Sequence, residues 1–276
     1  MAGGWFRRRR DPDPIDPAHW QRAADALADG VSLTPAQWRR LRALAARFLA
    51  EKTFSGAQGF TVTEEVRIAI AAQACLPVLA LGLGAYRDFL EIVVYPAQFR
   101  VPRREVDEAG VVHESLEWLA GEAHDGGPVV LSWADADPTA AQGPFNVVIH
   151  EFVHKLDMLD GEADGIPPLP PGRRAAWARA LHEAHADFCA QLDAIERAIP
   201  RDIDPESEQA DPWYAQLPLD PYAATDPAEF FAVSGEAFFL DPEGLRARWP
   251  DWFAQLAGLF RLDEVDERDE SAPTEE

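Results

Sequence analysis

FNVVIHEFVHKLDMLDG, residues 145–161, holds His150-Glu151-Phe152-Val153-His154 inside an apolar run. On a helix, residues four apart project about 40° apart, one turn along the axis. His150 and His154 therefore share a face and can share one metal ion. Glu151, one residue past His150, lies beside the open side of that metal, where it can take a proton from an activated water. Phe145, Val148, Ile149, Phe152, Val153, Leu156 and Leu159 fill the remaining surface, so the helix reads as largely buried. Gly143-Pro144 is a breaker before it, Asn146 its N-cap and Gly161 its stop. Burying His, Glu, His and Asp157 on such a helix is costly unless those groups have partners.

The rest of the chain frames that helix. Its 276 residues suffice for one large domain, and 47% hydrophobic content with nine Trp indicates a globular core. A net charge of −23 argues against a nucleic-acid partner. Cys75 and Cys189, the only cysteines, do not suggest a disulfide framework and fit a reducing cytoplasm. Arg7 to Arg10 has no apolar segment after it and reads as a solvated tail, not a secretory signal. Ile68 to Gly84 is apolar but shorter than the ~20 residues that span a bilayer, so a buried helix is expected and no membrane insertion.

In order, residues 1–30 read as irregular. Thr34-Pro35 opens a helix running to Glu51, and Thr63-Glu64-Glu65 opens a second, ended near Pro77. FLEIVVY (89–95) is a strand limited by Pro96 and Pro102, and residues 111–119 lean towards another. Asp125-Gly126-Gly127-Pro128 is a turn and VVLSW (129–133) a strand. If that strand lies at a sheet edge, Val130, Leu131 and Ser132 can hold an extended peptide by main-chain pairing. Residues 173–199 form a long helix on which His182 and His185 are a solvated face. Residues 200–221 form an acidic, Pro-rich surface loop. AEFFAVSGEAFFL (228–240) is a helix with Glu229 and Glu236 on nearly one face. A last helical stretch covers about 243–260. The expected organisation is an irregular segment 1–30, a domain 31–262 and an acidic tail 263–276.

Catalytic zinc takes three protein ligands and leaves a position open. His150 and His154 supply two, and Glu229 or Glu236 can supply the third. Asp157 suits a hydrogen-bond acceptor that orients an imidazole.

HEFVHKLD followed by PYAATDPAEFFAVSGEAFF resembles the Mlc titration factor A family of zinc peptidases, and more distantly the lethal-factor zinc protease. The resemblance covers residues 128–161 and 220–241. It implies an α+β, zincin-like and gluzincin-like domain, mostly helical with a small mixed sheet, holding one Zn2+ per chain. It implies His150, His154 and Glu229 as ligands, Glu151 as general base and Tyr222, seven residues before Glu229, as the group facing the substrate. Glu236 would then support the ligands or face a neighbouring helix. The implied activity is cytoplasmic, aminopeptidase-like peptide hydrolysis, with binding of the Mlc transcriptional repressor. The rival expectation is a non-catalytic zinc protein that sequesters a regulator.

Overall fold

Capping residues set where the main helices begin. Asp16 accepts from Ala18 N and His19 N and opens α1, Pro17–Ala28. Thr34 and Gln37 form a reciprocal capping box at the start of α2, Pro35–Glu51. Thr63 caps α3, Glu64–Ala74. The computed structural model describes residues 15–106, 112–139 and 145–265. The expected breaker Gly143-Pro144 and the cluster Arg7 to Arg10 lie outside them.

Between these helices run β1, Thr53–Gly56, and then β2, Glu91–Tyr95. An antiparallel pair follows, β3, Phe99–Val106, with β4, Val112–Leu119. Next come β5, Gly121–Ala123, β6, Val129–Ser132, and a single helical turn α4, Trp133–Ala136. A mixed sheet has the order β1-β2-β6-β5, with β5 antiparallel to β6 and the other pairs parallel. The parallel pairs require crossovers, which α3 and the β3–β4 ribbon supply.

The second half is helical: α5, Val147–Asp157; α6, Arg174–Ala198; a short α7, Asp211–Tyr214; α8, Pro227–Leu240; α9, Pro242–Arg248; and α10, Pro250–Phe260. Helix α5 crosses the core. Phe152 packs at 5.1 Å from Tyr86 and 5.6 Å from Phe48 between ring centroids. Helix α8 lies against it so closely that a Cβ at Gly235 would meet Val153 Cγ2 at 2.9 Å. Trp177 and Trp252 cover the other side of α8, Trp177 at 5.4 Å from Phe231.

The α+β class, mostly helical with a small mixed sheet, agrees with expectation. Three local readings change. Residues 17–28 are helical, not irregular, because Asp16-Pro17 is a cap followed by proline at the first helical position, and Trp20, Ala23 and Leu27 are buried. The stretch 243–260 breaks at Trp249-Pro250 into α9 and α10. Finally, β6 is an inner strand between β2 and β5. The backbone of Val130, Leu131 and Ser132 is already paired on both sides, and Leu131 and Ser132 are fully buried. These three residues therefore do not receive an extended peptide; the sheet edge nearest the motif helix is β5.

Candidate metal centre

Helix α5 presents the motif as expected. Asn146 Oδ1 accepts from Ile149 N at 2.9 Å, and α5 ends at Asp157, before a 3-10 turn that closes at Gly161 with φ 94°. His150 and His154 extend from one face, with their Nε2 atoms 3.1 Å apart. Glu229 comes from the first turn of α8, which Asp226 caps through Ala228 N and Glu229 N. Its Oε2 lies 3.0 Å from His150 Nε2 and 3.2 Å from His154 Nε2. Among the described residues this is the one group of three or more His, Cys, Asp or Glu donors able to hold a metal.

The donor set fits a metal. A tetrahedral zinc with bonds of ~2.0–2.1 Å has ligand atoms about 3.3 Å apart, close to the three separations found. Two imidazoles and one carboxylate suit zinc among the common ions. The electrostatics agree. Burial works against a charge on His150, yet hydrogen bonds to Glu229 and Glu236 outweigh it and push the imidazole well above its ordinary pKa. Burial likewise works against an ionised Glu229, and the two imidazoles overcome it, holding the carboxyl well below its usual range. The site thus favours a positive charge at its centre.

Glu236 is fully buried on α8 and sits behind the triad. Its Oε1 accepts from His150 Nδ1 at 2.8 Å, and its Oε2 accepts the Asn146 N–H. Asn146 Nδ2 in turn donates to Gln73 Oε1 at 2.8 Å, tying the cap to α3. Asp157, expected in the orienting role, bonds elsewhere. Its Oδ2 accepts from Gly165 N at 2.8 Å, and its Oδ1 is buried without a hydrogen-bond partner among the described residues. The reason is position: Asp157 ends α5 under the 161–172 loop, whereas α8 runs directly behind His150.

Glu151 faces a cleft of about 440 Å³ shared with both histidines, Glu229 and Tyr222. Burial pushes its carboxyl up to about 7, so it can hold or release a proton near neutrality. Tyr222 is half exposed at the cleft mouth. Its hydroxyl donates to Glu229 Oε1 at 3.4 Å, and its ring lies 6.1 Å from that of His150. Strand β5 forms the opposite wall: Gly121, Glu122 and Ala123 all line the cleft.

Comparison with known proteins agrees with this geometry. The model of the family described as glucose-regulated metallo-peptidase M90 matches residues 4–261. The chain belongs to this family. The match runs through the acidic 200–220 segment, well beyond the two stretches that carried the resemblance. The protein named Mlc titration factor A of Pectobacterium atrosepticum is 37% identical over 260 residues, 94% of this chain and 91% of its own. Its namesake in Escherichia fergusonii is 37% identical over 279 aligned positions, 98% of both chains. The one from Serratia proteamaculans is 36% identical over 262, 94% of this chain and 92% of its own. For a metallopeptidase family, a cleft holding two histidines and a carboxylate is the expected centre.

Three contributors escaped the sequence reading. Strand β5 is three residues of Gly, Glu and Ala, with no β-branched or aromatic signal. Gln73 lies among alanines on a buried helix. Lys155 left the one usable trace, a lysine inside an apolar helix; it is fully buried and donates to His124 O at 2.6 Å and Gly127 O at 3.2 Å.

Proposed function

We propose that the protein is a zinc-dependent peptidase with one ion held by His150, His154 and Glu229. The observation that carries this reading is the convergence of those three donors beside a buried Glu151 in one cleft. When bound, zinc supplies Lewis acidity and lowers the pKa of a water towards ~7. Glu151 takes the proton from the attacking water and passes it to the departing amine. Tyr222 donates its hydroxyl hydrogen to the carbonyl oxygen as negative charge develops there. Strand β5, bonded to β6 on one side only, pairs through its outer edge with the backbone of an extended substrate. Glu236 holds His150 with Nε2 turned towards Glu229 and His154, the orientation in which it would bind the ion. Asp157 steadies the opposite, C-terminal end of α5 through its bond to Gly165 N.

Glu122, Asp220 and Asp226 join Glu151 and Glu229 on the cleft lining, which includes no Lys or Arg among the described residues. This polarity suits a cationic amino end and supports an aminopeptidase-like preference. The two free thiols, Cys75 and Cys189, suit a cytoplasmic setting, and no helix among the described residues is long and apolar enough to cross a membrane.

The name of the relatives favours a second activity, binding of an Mlc-like transcriptional repressor. The deciding experiment is metal analysis of the purified protein and of Glu229→Ala, followed by peptide cleavage. About one zinc per chain, largely lost in the variant, is expected. A wild-type protein that takes up no zinc would end the peptidase reading. Glu151→Gln separates the activities: cleavage vanishes while repressor binding survives.

A further inference from the structure

The metal donors come from two helices, and Gly165 joins those helices at a point outside the triad. It lies in the loop between α5 and α6, with φ +77°. Its N–H donates to Asp157 Oδ2, the last residue of α5, at 2.8 Å. Its carbonyl accepts from Trp177 Nε1 on α6 at 2.8 Å. On its remaining side it touches α8. A Cβ on residue 165 would stand 2.5 Å from Pro227 O, 2.9 Å from Pro227 C and 3.0 Å from Leu181 Cδ2.

Pro227 is the first residue of α8, and Glu229 follows two residues later in the same turn. Resting on the metal-site reading above, we infer that Gly165 is a positioning residue that sets the distance from Glu229 to His150 and His154. A side chain at residue 165 would need a shift of about half an ångström, because Cβ atoms do not approach backbone closer than 3.0 Å. Metal–ligand distances tolerate only about 0.2 Å. The loop cannot readily absorb the shift. Its two backbone hydrogen bonds hold it to buried partners, Asp157 and Trp177. The start of α8 moves instead, carrying Glu229 away from the imidazoles.

The test uses the full chain and zinc itself, by competition with a chelator, with cobalt substitution as a spectroscopic reading of the ligand set. Gly165→Ala is expected to weaken zinc binding by about 10-fold or more and to reduce the cobalt ligand-field bands. Gly172→Ala is the control. It sits in the same loop at φ +90° and bears the same backbone strain, but its Cβ would meet nothing within 4 Å. It should keep wild-type affinity while losing comparable thermal stability. Trp177→Phe removes the donor to Gly165 O together with part of the ring that packs on Phe231 and Trp252, and should weaken zinc binding in the same direction, by less. Zinc affinity unchanged in Gly165→Ala, or reduced equally in Gly172→Ala, overturns the inference. If Gly165→Ala does not fold, unchanged affinity in Trp177→Phe does so. A wild-type chain that binds no zinc removes the metal reading and this inference together; zinc uptake that is indifferent to residue 165 removes the inference alone.

Discussion

Gly121 lies directly against Glu151: a Cβ on residue 121 would stand 2.4 Å from Glu151 Oε1 and 2.6 Å from its Cγ. The wall strand and the proposed general base are therefore fitted to each other, and only glycine leaves the carboxylate its place. Gly121→Ala should lower kcat/KM for peptide cleavage by about 100-fold, since a misplacement near 1 Å carries that cost. Metal content should be unchanged, because the atoms nearest that Cβ belong to Glu151 and Val147 and not to the triad. Steady-state kinetics with metal analysis check this; wild-type kcat/KM would show that Glu151 is not the base.

Glu236 accepts two hydrogens, one from His150 Nδ1 and one from the Asn146 backbone. A glutamine at that position has one acceptor oxygen and one donor nitrogen. Whichever way its amide turns, an N–H faces another N–H. Glu236→Gln is expected to weaken zinc affinity by about 10–100-fold, read by chelator competition. Unchanged affinity would mean that His150 needs no partner on Nδ1.

Asp157 gives a pH dependence with a definite sign. Burial pushes its carboxyl up to about 7, well above the ordinary aspartate range. In that window the folded protein keeps a proton that the unfolded chain has released. Stability is therefore fully present below about pH 4 and falls as pH rises through 7. Glu151, also pushed up to about 7 by burial, contributes with the same sign. In metal-free protein, Asp157→Asn should therefore show a shallower fall in Tm between pH 4 and 7 than the parent. Parallel Tm profiles would remove Asp157 as a contributor.

Lys155 pins the turn after β5 to α5 by donating to His124 O and Gly127 O. Lys155→Met keeps most of the buried stem but leaves two carbonyls without that donor. A loss of roughly 2–3 kcal/mol is expected from their desolvation, measured by denaturant unfolding. Amide exchange should rise in residues 124–127, with the 53–56 strand at the far edge unaffected. Equal exchange in both places would show that Lys155 serves general packing.

The motif helix was legible because its information is local. A 3.6-residue period, an Asn cap and two histidines four apart determine both a buried helix and a shared face, whatever surrounds them. The α8 helix was legible for the same reason, through Asp226-Pro227 and its run of Phe. The α1 helix was misread because Asp-Pro repeats resemble loop, although Asp16-Pro17 is a cap and first-turn proline.

What the sequence by itself determined is the chemistry available: two imidazoles and a carboxylate on one rod, a second acidic helix, and a chain with a core large enough to hold both. Only the tertiary structure decided where each acid stands. Glu229 and Glu236 share a helix face, and helical spacing alone does not distinguish them. The crossing of α8 over α5 at Gly235 and Val153 places Glu229 against both Nε2 atoms and Glu236 behind His150 Nδ1. The sheet edge was likewise undecidable, because strand order depends on long-range pairing, and a three-residue strand carries too little pattern to announce itself.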